Sequence, residues 1–319
     1  MIEVQNLTKR FGDMTAVDGL TFRAEDGLVT GFLGPNGAGK TTTMRLMLGL
    51  DNPSTGWARI DGKPLAAHAS PLRVVGALLN ASSVAPSMTA KAHLRWFARA
   101  GAIPDTRVNE VLEQVGLSSV GTRRVGAMSL GMRQRLGIAA ALLGDPGTFI
   151  LDEPINGLDP EGVVWVRTLL KKLAREGRAV LVSSHLMSEM QLTADKVVVI
   201  GRGRLMAELS VSELQGGSQR TPIRVRAAQP ERLLDALRRN FTDMRVEHPE
   251  PGNGQQPGPG SVLRVTGLIP EEVGDTAAAN GIAIYELTPV RETLEDVFMR
   301  LTQQASEYVA SDAKSGALL

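Results

Sequence analysis

The residues from Gly34 to Thr41, GPNGAGKT, set glycine, lysine and threonine at the spacing G-x-x-x-x-G-K-[ST]. Glycines at 34, 37 and 39 let the backbone curl until successive N–H groups point inward, and a helix that starts there aims its positive end at the same hollow. Such a hollow suits phosphate. Lys40 adds a point charge for the outer phosphates, and the Thr41 hydroxyl is placed to ligate a bridging Mg2+. The bare pattern also arises by chance, so its surroundings matter. An apolar stretch from Val29 precedes it, and Met44, Leu46, Met47, Leu48 and Leu50 follow at helical spacing. The candidate nucleotide-binding loop is therefore Gly34, Pro35, Asn36, Gly37, Ala38, Gly39, Lys40, Thr41 and Thr42.

A second group stands more than a hundred residues on, in FILDEP, where an apolar run ends in Asp152 and Glu153. Phosphoryl transfer from ATP to water needs cradled phosphates, a neutralising metal and a water aimed in line. Asp152 fits a direct or water-mediated partner of Mg2+, and Glu153 could accept a proton from the attacking water or orient it. Adjacent carboxylates at a strand end are also common surface acids, and it is the P-loop in the same chain that favours chemistry.

The elements that must carry these groups alternate. Residues 2–11 and 16–22 predict an antiparallel pair turning at Gly12 and Asp13, and Phe11 beside that turn is either a core residue or a face for a purine ring. Residues 57–65 and 72–79 read as strands. Helices are expected over 89–100 and 105–115, then a long one opening at Ser129 as N-cap and stopping before Gly144 and Pro146. A strand over 148–151 is followed by a helix with Asp159 as N-cap and Pro160 at its first position. Strand 179–183, His185, a helix to about 193 and strand 196–200 complete a mainly parallel sheet. Beyond about residue 215 the predicted order is βαββαβ (strands 223–227, 244–247, 261–266, 282–287; helices 230–239, 270–280), a ferredoxin-like arrangement. Residues 249–260 hold four prolines and four glycines and read as a mobile loop; a helix over 291–302 and a frayed tail from 305 follow.

Composition narrows the classes. The chain has 319 residues, 43% of them apolar, and a net charge of +1 with signs interspersed, so nucleic acid is not expected as a partner. With no cysteine there is neither disulfide nor thiolate chemistry. No window reaches the ~18 apolar residues of a membrane span, and the N-terminal MIEVQNLTKRF lacks the order of a signal peptide. A cytoplasmic protein is expected, with any membrane role supplied by a separate partner.

Together these segments resemble the nucleotide-binding subunits of ABC transporters over roughly residues 2–215. Beside the P-loop and FILDEP stand a signature-type run from Ser129 through Met132 followed by RQR, a D-loop-like Gly157 to Pro160, and His185 at the H-loop position. The resemblance implies the P-loop ABC-ATPase fold: a mainly parallel sheet, an antiparallel N-terminal subdomain and a helical insertion over about 81–145. It implies a domain over 1–215, a small α+β accessory domain over 216–304 and a tail over 305–319. It further implies ATP and Mg2+, a second copy closing on two nucleotides, and separate transmembrane permease subunits at the cytoplasmic face of the membrane. Residue by residue, Phe11 would stack on adenine, Ser129 and Gly131 would touch the γ-phosphate held by the partner copy, Asp159 would link the two sites, and His185, otherwise readable as structural, would contact the γ-phosphate. Lys40, Glu153 and His185 form the implied catalytic set, with Thr41 and Asp152 on the metal.

Two departures stand out. Asn80 occupies the position where the family usually has glutamine to sense the metal; its reach is shorter by about 1.5 Å. Leu130 and Met132 replace two smaller residues in a form, SLGMRQRLGIA, that resembles ATPases serving drug and antibiotic exporters. An alternative from another class, a soluble ABC-type ATPase of DNA repair or translation, calls for coiled coils or a second P-loop. Neither is present in this sequence. A kinase or GTPase is disfavoured by the signature helix and the lack of NKxD.

Overall fold

The computed structural model describes residues 1–81, 84–212, 222–242, 244–247, 262–290 and 293–299. Strands β1 (Ile2–Phe11) and β2 (Met14–Ala24) form an antiparallel hairpin in which Phe11 lies opposite Met14. The five residues of β3 (Val29–Leu33) are all buried, as expected of a strand covered on both faces. It feeds the Gly-rich loop and then α1 (Lys40–Met47). Strand β4 (Thr55–Ile60) pairs antiparallel with β1, so the three-stranded sheet runs β2-β1-β4.

The stretch expected as one strand over 72–79 divides into a short helix, α2 (Pro71–Val74), and β5 (Val75–Leu78). Pro71 explains the difference: its fixed φ suits the first turn of a helix, and its missing N–H weakens a strand start. Three helices follow, α3 (Ala90–Ala100), α4 (Asp105–Gln114) and α5 (Leu130–Leu142). Thr89 and Ser129 cap α3 and α5 by accepting the N–H groups of Ala92 and Met132, each at 3.1 Å.

Then come β6 (Thr148–Leu151), α6 (Pro160–Arg175), β7 (Ala179–Ser184), α7 (Met187–Thr193) and β8 (Lys196–Gly201). A further strand not anticipated from sequence, β9 (Arg204–Ser210), pairs antiparallel with β8. The large sheet runs β5-β6-β7-β3-β8-β9, parallel throughout except at that last edge. Strands β3, β6 and β7 sit side by side, so their C-terminal ends open on one rim. That rim holds the Gly-rich loop, Asp152 with Glu153, and His185. A stacked ring pair, Phe22 on β2 and Phe32 on β3 with centroids 5.2 Å apart, ties the antiparallel sheet to the parallel one. The core beneath includes Ile2, Leu7, Met44, Ile60 and Ile150, all fully buried; each such side chain contributes about 1.5–3 kcal/mol of burial free energy.

The described chain separates into one compact unit, residues up to Val211 together with Phe298 and Met299, and a second within Ser212–Val297. The expected boundary at 215–216 falls outside the described residues, as do the loop 249–260 and the tail 305–319. The second unit contains β10 (Ile223–Ala227), α8 (Pro230–Asn240), β11 (Arg245–Glu247), β12 (Val262–Thr266), α9 (Pro270–Ala279) and β13 (Ile284–Pro289). Its sheet order, β11-β12-β10-β13 with every neighbour antiparallel, is the ferredoxin-like βαββαβ arrangement. Strand β13 begins two residues later than expected, because Gly281 at φ +64° extends the turn after α9. Its core gathers Ile223, Val225, Leu233, Leu237, Leu263 and Val265. Helical residues 294–299 are the described part of the helix expected over 291–302.

Candidate active site

The Gly-rich loop leaves β3 and turns back on itself, with the Ala38 N–H donating to the Pro35 carbonyl at 3.1 Å. Gly39 caps α1 in the left-handed region, φ +100°, and a Cβ there would overlap the Ala16 carbonyl oxygen. Only glycine fits. A Cβ on Gly34 would lie 2.6 Å from the Ile200 carbonyl oxygen, so the loop is wedged between β2 and β8 as well as curled. The first N–H groups of α1 have no intrahelical acceptor and face the loop, which makes the hollow electropositive. Lys40, 7% exposed, donates from Nζ to the carbonyls of Gly34 at 2.6 Å and Pro35 at 3.2 Å, so its charge is already held in that hollow.

A cleft of about 570 Å³ opens over the loop, lined by Pro35, Asn36, Gly37, Gly39, Lys40, Thr41, Thr42, Asp152 and Glu153, and by Met14, Thr15 and Ala16. The last three come from β2 and were not singled out from sequence. They stand more than fifteen positions before the loop, and nothing in their types marks them. The Thr41 hydroxyl donates to Asp152 Oδ2 at 2.5 Å, bringing together two groups 111 positions apart. The other Asp152 oxygen accepts from the Ser183 hydroxyl, whose oxygen accepts in turn from the Glu153 N–H at 2.9 Å. Gln134 on α5 donates from Nε2 to the Glu153 carbonyl at 3.0 Å. Ser183 and Gln134 are thus part of the site, and sequence reasoning missed both roles.

His185, just beyond β7, brings Nδ1 to 2.9 Å from Glu153 Oε2. An ionised carboxylate only accepts, so with Glu153 ionised Nδ1 carries the hydrogen of this contact. The pair is open to solvent, His185 at 50% and Glu153 at 21% exposure. Among the described residues no cluster of three or more His, Cys, Asp or Glu could enclose a metal. The protein offers a hydroxyl and a carboxylate at one point beside a phosphate hollow, a sparse all-oxygen set that fits Mg2+, which keeps most of its ligands as phosphate and water oxygens.

The remaining expected residues lie off this cleft. Phe11 ends β1 with its ring 48% exposed and the Lys9 ammonium 5.0 Å from its centroid; it is not part of the cleft lining. Asn80 is exposed just past β5. Ser129 caps α5 and Asp159 caps α6 by accepting the Gly162 N–H at 2.9 Å. A Cβ on Gly131 would lie 3.4 Å from the Gly157 carbonyl oxygen, so the first turn of α5 rests against the loop that leads to Asp159.

A glycine-lined phosphate hollow at a helix N-terminus, with a carboxylate from the neighbouring parallel strand on its threonine, defines a P-loop nucleoside triphosphatase. Comparison with known proteins narrows the class. Residues 17–156 match the family model described as ABC transporter, and residues 221–295 match a domain of unknown function (DUF8746). The chain is 36% identical over 315 residues to the uncharacterized ABC transporter ATP-binding protein YhcH of Bacillus subtilis, spanning 97% of this chain and 98% of that one. It is 33% identical to the bacitracin transport ATP-binding protein BcrA of Bacillus licheniformis, over 94% of this chain and 97% of that one. With the Nod factor export ATP-binding protein I of Burkholderia lata it shares 37% identity over 65% of this chain and 70% of that one. The fold is similar to a solved ATP-binding subunit of an ABC transporter, with TM-score 0.62 and 25% identity, over 68% of this chain and 92% of that one. The ADP- and Pi-bound dimer of the cassette MJ0796 shares the fold at TM-score 0.60 and 24% identity, over 66% of this chain and 99% of that one.

The chain belongs to the ATP-binding proteins of ABC transporters. It is an ATPase whose hydrolysis of ATP to ADP and phosphate powers transport, and the DNA-repair or translation alternative is not favoured. Among the described residues no helix is long and apolar enough to cross a membrane.

Proposed function

We propose that this ATPase drives an exporter: two copies close head to tail on two Mg-ATP molecules at the cytoplasmic face of the membrane, and the stroke passes to separate permease subunits. The near-full-length relation to BcrA, a bacitracin transport protein, is the observation that carries export. Closure in pairs is supported by geometry. Ser129, Gly131 and Asp159 lie outside the cleft that the P-loop and Asp152 line, so one chain presents two halves of a site rather than one whole.

Each side chain then has a task. The loop N–H groups and Lys40 hold the phosphates, and Phe11 offers its ring to the base. Thr41 and Asp152 hold Mg2+, which supplies charge neutralisation across the outer phosphates. Glu153 holds the water in line with the γ-phosphorus and takes its proton as the new P–O bond forms and the bond to ADP breaks. His185 orients that carboxylate through Nδ1 and contacts the γ-phosphate. Ser129 and Gly131 close over the nucleotide of the other copy, Asp159 links the two sites, and Asn80 lies at the edge facing the permease. Residues 1–215 form the ATPase domain and 216–304 an accessory domain that steadies the pair.

The test is Glu153→Gln. Turnover should fall by about 10²–10⁴-fold, as for loss of a general base, while ATP-bound pairs accumulate in size-exclusion chromatography. Normal turnover would refute the role of Glu153, and an affinity-tagged chain that retains no polytopic membrane protein would refute the transporter assignment.

A further inference from the structure

Glu153 has a backbone φ of +49°, a region that residues bearing a Cβ seldom adopt. Such a conformation persists only where its surroundings hold it. Both polar groups of the Glu153 backbone meet buried side chains, and the carbonyl also accepts the Asn156 N–H at 3.2 Å within its own turn. The Ser183 hydroxyl accepts its N–H at 2.9 Å, and the Gln134 amide donates to its carbonyl at 3.0 Å. Neither holder is an ordinary surface contact, since Ser183 is fully buried and Gln134 only 5% exposed.

Ser183 does a second thing. Its own hydrogen goes to one oxygen of Asp152, which leaves the other oxygen to Thr41. A single buried hydroxyl therefore fixes both the carboxylate assigned to the metal and the peptide of the residue assigned to the water. Gln134 arrives from a different direction. It lies on α5, whose N-cap is Ser129, so the helix that meets the other copy's nucleotide is hydrogen-bonded to the catalytic peptide of its own chain.

We infer that Ser183 and Gln134 are positioning residues for ATP hydrolysis, a two-sided clamp that holds Glu153 in its left-handed conformation and so sets where its carboxylate stands. The inference rests on the reading of Glu153 as the water-orienting group. Buried serine and glutamine side chains could serve only to satisfy one another's surroundings, and the two roles differ in what their loss does. A structural loss weakens nucleotide binding and turnover together, whereas a lost clamp lowers kcat alone.

The experiment measures kcat, KM, affinity for a fluorescent ATP analogue and Tm on the full chain. Ser183→Ala removes the hydroxyl, Ser183→Thr keeps it, and Gln134→Met keeps length without a donor. Ser183→Ala and Gln134→Met should each lower kcat by about tenfold or more, and Ser183→Thr should recover most of the rate. Gln134→Met should leave KM and analogue affinity within about twofold, whereas Ser183→Ala also frees an oxygen of Asp152 and so should weaken Mg-nucleotide binding as well. In the Glu153→Gln background, adding Gln134→Met should change the residual rate by less than about twofold, because Gln134 acts through Glu153. Wild-type kcat in Ser183→Ala and Gln134→Met, or a loss of analogue affinity in Gln134→Met as large as its loss of kcat, overturns the clamp. Undiminished turnover in Glu153→Gln instead overturns the role of Glu153 itself. If Ser183→Ala does not fold, Gln134→Met and Ser183→Thr decide the matter by the same criteria.

Discussion

At the scale of single residues, the site depends on backbone conformations that ordinary side chains resist. Gly39 and Glu153 both sit at positive φ, at +100° and +49°. Glycine reaches such angles at little cost, but a glutamate does so only with about 1–3 kcal/mol of support from its neighbours. The two therefore respond differently to change. Gly39→Ala puts a methyl onto the Ala16 carbonyl oxygen, so the loop must open. Affinity for ATP should drop by about tenfold or more, with a lower Tm, when measured by fluorescent-nucleotide titration and differential scanning fluorimetry. Retained affinity would mean that the loop tolerates a wider curl than this geometry allows. The glycine was legible in the sequence because its spacing to Lys40 and Thr41 is fixed by the phosphate it must surround. Ser183 and Gln134 were not, since a serine at a strand end and a glutamine in a helix are unremarkable until the fold brings them to Glu153.

Secondary-structure elements follow the same divide. Caps and breakers act within a few residues, which is why the starts of α5 and α6 could be read from Ser129 and Asp159, and the ferredoxin-like alternation from its strands and helices. Strand β9 escaped notice because it lies at a sheet edge with most of its residues partly exposed, leaving no clean apolar alternation. Helix α3 carries a pH-sensitive group that belongs to this scale. His93 is 9% exposed and meets Phe97 edge-on at 5.0 Å; burial holds its pKa below the usual imidazole value. The unfolded chain then binds that proton more tightly than the folded one. Its share of stability is complete above about pH 6.5 and is lost as pH falls below that value. Tm should decline between about pH 7 and 5, and His93→Leu should flatten that part of the profile. An unchanged slope in the variant would assign the pH dependence to other groups.

For the whole molecule, two separate clusters of buried side chains among the described residues make a further expectation. Ile2, Leu7 and Met44 belong to one, and Val225, Leu237 and Leu263 to the other. Cores that share no side chains can melt independently, so calorimetry should resolve two transitions. Leu263→Ala, at a fully buried position, should cost about 2–5 kcal/mol and shift only one of them, while ATP affinity stays unchanged. A single transition moved as a block would show that the two units unfold together.

Taken alone, the sequence marked a phosphate loop, a paired carboxylate at a strand end and a serine-capped helix, each by residues close together along the chain. Short-range rules of backbone geometry and charge suffice for those three, whereas the signature role of that helix and the site role of His185 rest on the family resemblance. Only the tertiary structure decided which distant groups meet, because parallel strands β3, β6 and β7 bring their ends to one rim irrespective of separation along the chain. Hence Thr41 finds Asp152, His185 finds Glu153, and the clamp of Ser183 and Gln134 closes on a peptide that no local pattern could have singled out.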